Sequence, residues 1–134
     1  MKITYKKSLQ TLASYDDAVC YSYYPIDLHK NSDEALQNIY IDDSVHPTLP
    51  LAAMVVEGLS NLMVSGRCIS GDRLANSAFR VKASCMAMGE AVGTAAALCT
   101  QRDISIRELP IDDLRSKLCD NGAIVPLIVE RRQK

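Results

Sequence analysis

The chain is 134 residues long and 48% hydrophobic, with a net charge of −1 at pH 7. That allows one domain with a modest core; it is too short for a typical two-domain enzyme and too balanced for wholesale disorder or a broad basic field toward nucleic acid or anionic membrane. Its five cysteines are odd in number and form no C-x-x-C pair, which disfavours a zinc module or a fully paired disulfide framework and favours reduced thiols in a cytoplasmic setting.

The N-terminus, Met1-Lys2-Ile3-Thr4-Tyr5-Lys6-Lys7, lacks the apolar core of a signal peptide, and no stretch of about 18 apolar residues follows. All six tyrosines lie at or before Tyr40, and Phe79 is the only later aromatic. An aromatic, acidic front over 1–57 is therefore expected to be distinct from an Ala/Gly-rich segment over 58–134. Asp16-Asp17 and Asp42-Asp43 read as solvated turn or strand-end residues rather than metal ligands. Val19-Cys20-Tyr21-Ser22-Tyr23-Tyr24 is dense in strand formers, and Pro25 ends it. Asn38-Ile39-Tyr40-Ile41-Asp42 alternates as a second strand, expected to pair antiparallel with the first across a long polar loop. Pro47 and Pro50 then break the chain before a short apolar run over 51–56.

Asn61-Leu62-Met63-Val64-Ser65-Gly66 predicts a short buried strand stopped by glycine, because its apolar residues run without alternation. A loop is expected over 67–81. Residues 84–100 predict a long helix, with five alanines, two methionines and no proline. Ser84 is the expected N-cap, its hydroxyl accepting from an amide two or three residues on. Gly89 and Gly93 stand four apart, with Ala97 one step further, and leave one helix face nearly bare. Each interior glycine costs about 1 kcal/mol against alanine, so another backbone or a flat ligand is expected to pack close there. In the last helix Pro110 suits the first turn, Ile111, Leu114 and Leu118 form an apolar stripe, and Gly122 occupies the C-terminal cap. Residues 130–134 read as a frayed polar end. Together these elements predict an α+β fold.

The strand, glycine turn, loop and capped helix carry the functional signal. A helix N-terminus has unpaired amides and a partial positive charge, which suit an oxygen-rich or anionic group; an ordinary packed strand–helix unit is the plainer alternative. Three stretches shift that balance. They are Asn61-Leu62-Met63-Val64-Ser65-Gly66-Arg67-Cys68-Ile69-Ser70, Phe79-Arg80-Val81, and Cys85-Met86-Ala87-Met88-Gly89-Glu90-Ala91-Val92-Gly93-Thr94-Ala95-Ala96-Ala97. They closely resemble the C-terminal part of the FAD-dependent oxidoreductases, of the dehydrogenase and xanthan-lyase-associated type. Tyr24-Pro25-Ile26-Asp27-Leu28-His29 is similar to that family's Y-P-I-D-I/L-H stretch, and 111–124 looks like its last helix. The resemblance runs from about Tyr15 to Ile124.

The resemblance implies a parent α/β fold of the FAD/NAD(P)-binding type and FAD as cofactor. It makes 1–57 the end of a substrate-domain-like segment and 58–134 the C-terminal FAD-binding-domain segment. Carried over by position, Gly66 and Arg67 would lie by the ribitol. Arg80 and the amides around Ala83, Ser84 and Cys85 would face the isoalloxazine edge. The strand end and the helix start would then share a shallow concavity lined by Arg67, Arg80 and the amides near Ser84. The bare face at Gly89 and Gly93 would pack on the nucleotide-binding sheet, and His29 is the candidate on the substrate side.

The chain also departs from the family. No G-x-G-x-x-G occurs, and the first glycine is Gly58, so the unit that holds the pyrophosphate is absent from this sequence. Gly71-Asp72-Arg73-Leu74-Ala75-Asn76-Ser77-Ala78 stands where the family has a stretch such as A-T-H-E-A-L-G-S. The chain reads as a fragment or one piece of a split enzyme. Its expected partner is the missing N-terminal half or a second copy, with neither nucleic acid nor membrane. A non-enzymatic remnant or interaction module is the rival reading. Cys68 and Cys85 have no redox-motif spacing and read as inert thiols, and Arg131-Arg132 is too small a basic group for nucleic acid.

Overall fold

The computed structural model describes Ile3 and residues 15–28, 37–39 and 47–126. Four short strands, β1 (Ala18–Tyr21), β2 (Ile26–Leu28), β3 (Gln37–Ile39) and β4 (Thr48–Pro50), precede three helices. These are α1 (Arg73–Phe79), α2 (Lys82–Arg102) and α3 (Ile111–Asp120), and the architecture is α+β. His29, Tyr40, Asp42, Asp43 and 130–134 lie outside the described residues.

Strand formation follows composition at β1, but pairing does not follow the sequence expectation. β1 pairs antiparallel with β4, Tyr21 opposite Thr48 and Cys20 opposite Leu49, with a register shift between Ala18 and Cys20. The expected second strand, seen here as β3, pairs instead with β2, Ile26 opposite Ile39. Two short ribbons thus replace the single expected pair. β2 and β3 are near neighbours along the chain, and closing a shorter loop costs less entropy. The apolar run after β4 winds into a 3₁₀ turn, Leu51–Ala53, held at its start by Asp17. The Leu51 N–H donates to the Asp17 carbonyl at 2.9 Å, and the Ala52 N–H donates to the Asp17 carboxylate at 2.7 Å. Asp16 is exposed as expected, whereas Asp17 is a half-buried tether.

The stretch expected to be a buried strand ending at Gly66 is extended chain outside any sheet. Its contacts run to one side only: the Val64 N–H donates to Met54 O at 2.7 Å, and the Val56 N–H donates to Leu62 O at 3.2 Å. Asn61 and Leu62 are exposed, and Met63 and Val64 are half-buried. Among the described residues no second strand covers the far side. A continuous apolar run marks a strand buried on both faces, and this stretch is at most half-buried before Gly66.

Within the expected loop over 67–81 lies α1. Asp72 caps it, accepting from the Ala75 N–H at 2.8 Å, and Ala75, Ala78 and Phe79 turn inward. Gly71 is forced by packing: a Cβ there would sit 2.7 Å from Phe79 Cζ.

Long helix α2 buries Ser84, Met88, Ala91 and Ala95, a row at helical spacing that packs on β1 and α3. It ends at Asp103, which takes the left-handed conformation at φ 53°. The last helix, α3, stops as its sequence predicts. Gly122 has φ +87°, its N–H donates to Cys119 O at 2.9 Å, and the Ala123 N–H donates to Leu118 O at 2.9 Å. Both bonds together form the Schellman arrangement that a glycine at this place permits. Side chains from both ends of the chain, from Ile3 and Val19 through Phe79 and Met88 to Leu114 and Leu118, enter one hydrophobic cluster. Arg115 ties α3 to the start of β1: its Nε donates to Ala18 O at 2.9 Å and its second terminal nitrogen to Asp16 O at 2.7 Å.

The candidate site at the start of the long helix

Helix α2 begins at Lys82, two residues before the expected cap, so Val81 and not Ser84 is the N-cap. Val81 has no side-chain acceptor, and among the described residues no side chain caps the helix. The first helical bond runs from the Cys85 N–H to Val81 O at 3.0 Å, leaving the N–H groups of Lys82, Ala83 and Ser84 ahead of the ladder. Their partial positive charge marks this end of the molecule.

Ser84 is occupied in another way. Its hydroxyl is buried, 2.8 Å from Ser22 Oγ, and Ser22 Oγ in turn donates to Ala78 O at 3.4 Å. With the Ser22 proton directed at Ala78, Ser84 is the donor to Ser22. This chain of hydroxyls pins the first turn of α2 to the end of α1 and to the chain just after β1. A helix start fixed this way is preorganised for whatever its amides face.

Four of the sequence-derived site residues converge here. Gly66 opens a 3₁₀ turn, Gly66–Cys68, with φ +66°, a conformation that favours glycine. A Cβ at Gly66 would lie 3.5 Å from Cys85 Sγ, so the turn lies against the first turn of α2. Arg67 Nε donates to Arg80 O at 3.3 Å, and the Cys85 thiol donates weakly to the same carbonyl at 3.6 Å. Gly66, Arg67, Arg80 and Cys85 thus form one cluster around the Arg80 carbonyl.

The expected single concavity divides in two. A cleft of about 650 Å³ opens beside the cluster, and its wall takes Ala83 and Ser84 but neither arginine. Its other polar and aromatic lining is Tyr21, Tyr23, Tyr24 and Glu90. Val19, Leu118 and Ala123 contribute apolar surface. Arg67 reaches back to the Arg80 carbonyl rather than out over the helix start.

Sequence reasoning missed Ser22, the clustering of Tyr21 and Tyr23 with Glu90, and the α1 cap Asp72. Asp72 was legible: an Asp followed three residues later by Ala75, with Leu74, Ala75, Ala78 and Phe79 at helical spacing, is a helix start. Ser22 carried no such signal, since its role depends on contacts 56 and 62 residues away.

All five cysteines are thiols without disulfides. Cys68 is exposed and Cys85 half-buried, while burial pushes the Cys20 thiol up from 9.0 to about 12. Cys20 therefore stays a neutral thiol near pH 7, and its contribution to stability is present below pH 9 and is lost as pH rises toward 12. Among the described residues no group of three or more His, Cys, Asp or Glu gathers into a metal-binding cluster, and no helix is long and apolar enough to cross a membrane.

An uncapped helix start, a glycine turn pressed on that start and an aromatic cleft beside it thus come together at one place in this α+β chain. The model of the family "FAD dependent oxidoreductase" matches residues 2–118, most of the chain. The chain belongs to the FAD-dependent oxidoreductase family, and FAD is the cofactor that the family implies. No curated protein and no solved structure matches it significantly.

Proposed function

We propose that the chain is the C-terminal region of an FAD-dependent oxidoreductase and supplies the elements that face the flavin ring. The observation that carries the reading is the uncapped start of α2 with the Gly66–Cys68 turn held against it. Gly66 and Arg67 would lie along the ribitol, and Arg80 with the amides around Ala83, Ser84 and Cys85 would face the isoalloxazine edge. The donor chemistry fits: N–H groups ahead of the helix ladder suit the ring's carbonyl and nitrogen acceptors. The fit covers the ring end alone, because none of the six glycines of the sequence belongs to a G-x-G-x-x-G turn for the pyrophosphate. Bound FAD would supply the redox chemistry, and the chain's own residues would orient the ring and hold partial positive charge at its edge. His29 is assigned to the substrate side, and the odd number of cysteines, without a C-x-x-C pair, favours a reducing, cytoplasmic setting.

A second reading, an interaction module without cofactor, is favoured by the open face of α2, where nothing lies within 4 Å of a Cβ placed at Gly89 or Gly93. Titration of the ¹⁵N-labelled chain with FAD separates the two. The flavin reading expects binding weaker than about 100 µM, since the pyrophosphate contacts are missing and each tenfold in affinity is about 1.4 kcal/mol. It also expects the largest shifts at the amides of Lys82, Ala83, Ser84 and the Gly66–Cys68 turn. Arg80→Ala should weaken this binding and Arg107→Ala should not. Shifts confined to other faces, or none up to millimolar FAD, would favour the interaction module.

A further inference from the structure

The cleft beside the start of α2 has a chemistry that the flavin reading does not use. Three tyrosines line it, and among the described residues Glu90 is the only one in its wall with a formal charge. Tyr23 and Tyr24 keep 57% and 42% of their surface exposed, so both rings are open to solvent at the cleft. At about 650 Å³ the space is of the size that holds a small organic molecule.

Tyrosine ring faces carry negative partial charge, and a carboxylate in the same wall adds a full one. Among the described residues no arginine, lysine or histidine contributes to the lining, so the described wall offers an anion no cationic partner. A bare metal ion is disfavoured as well, since among the described residues the wall has one carboxylate and no cluster of ligating groups. A substituted ammonium group matches instead. Its charge is spread over carbon, it sheds water at lower cost than a small inorganic ion, and it is attracted to aromatic faces. The partial positive charge of the helix start acts at Ala83 and Ser84. Glu90 lies seven residues beyond Ala83, about 10 Å along the helix at 1.5 Å per residue, so the cation belongs at the Glu90 side.

We infer that this cleft binds an organic cation, a substituted ammonium group with an apolar body, against Tyr21, Tyr23, Tyr24 and Glu90. The binding claim stands on the cleft alone. Treating that cation as the substrate class rests in addition on the flavin-facing reading of α2.

Calorimetric titration of the whole chain tests the binding claim without flavin. The probes are choline, its neutral carbon isostere 3,3-dimethylbutan-1-ol, and benzoate. Choline should bind at least fivefold more tightly than the neutral isostere, and benzoate should give no saturable binding. Glu90→Gln and Tyr24→Leu should each weaken choline three- to tenfold. Both side chains are exposed, so both variants should keep the fold, and an unchanged amide spectrum away from the cleft verifies that. Equal binding of choline and its isostere, tighter binding of benzoate, or choline affinity unchanged by Glu90→Gln would overturn the assignment. Failure here leaves the FAD titration untouched, so the two readings fall separately.

Discussion

The two long faces of α2 are almost equally apolar in sequence, yet only one is covered. Ser84, Met88, Ala91 and Ala95 turn into the core, whereas Ala83, Met86, Gly93 and Ala97 are exposed, with the charges of Lys82, Glu90 and Arg102 spread along the helix. A surface helix normally opposes its buried stripe with polar residues, and a helix apolar on all sides is normally enclosed. Here β1 and α3 cover one side, and the outer row is composed as if it too were meant to be covered. Burial along α2 is decided by which face meets β1 and α3 rather than by residue polarity.

The two methionines give that contrast its largest test. Met88 has no exposed surface and Met86 is 75% exposed, two residues apart on one helix. Met88→Ala should cost about 2–5 kcal/mol, the usual range for emptying a core site. Met86→Ala should stay within about 0.5 kcal/mol. Urea unfolding of the two variants reads both numbers, and equal losses would mean that the outer face is covered in solution.

What covers the inner face is itself held by Arg115, 8% exposed on α3. Its guanidinium donates to the carbonyls of Ala18 and Asp16 and pairs with Asp112 at 3.3 Å. Arg115→Ala should destabilise the chain by about 1–3 kcal/mol, because two carbonyls lose a charged donor. Lysine should recover only part of this, having no planar fork to reach both. Thermal unfolding checks the order: wild type, then Lys, then Ala.

The same division explains how much of the molecule was legible beforehand. Elements written in local chemistry were readable: the α3 stripe Ile111, Leu114 and Leu118, its glycine stop at Gly122, and the strand formers of β1. The cluster of Gly66, Arg67, Arg80 and Cys85 came from resemblance, and the structure brings those four together. Partnerships at long range were not readable. The pairing of β1 with β4, the Ser22–Ser84 bond and the Arg115 anchor join residues 27 to 99 positions apart. Ser84 was misread because its residue type suits a cap, while its hydroxyl is engaged by a distant serine.

Glycines sharpen the comparison to its smallest effects. At Gly71 the reason for glycine is inside the chain: a Cβ would meet the Phe79 ring at 2.7 Å, so Gly71→Ala should cost about 1–3 kcal/mol through overpacking. Gly89 and Gly93 also looked as if something packed tightly on them, but a Cβ at either meets nothing within 4 Å. Their helical backbone suits alanine, which loses less conformational freedom on folding. Gly89→Ala and Gly93→Ala should therefore each stabilise the isolated chain by about 0.5–1 kcal/mol. The sign carries the argument. A gain in both variants means that nothing packs closely on either glycine in the isolated chain. A loss, measured by denaturant unfolding at several protein concentrations, would show the outer face of α2 closely packed already. If that loss grew with concentration, the covering surface would be a second copy of the chain.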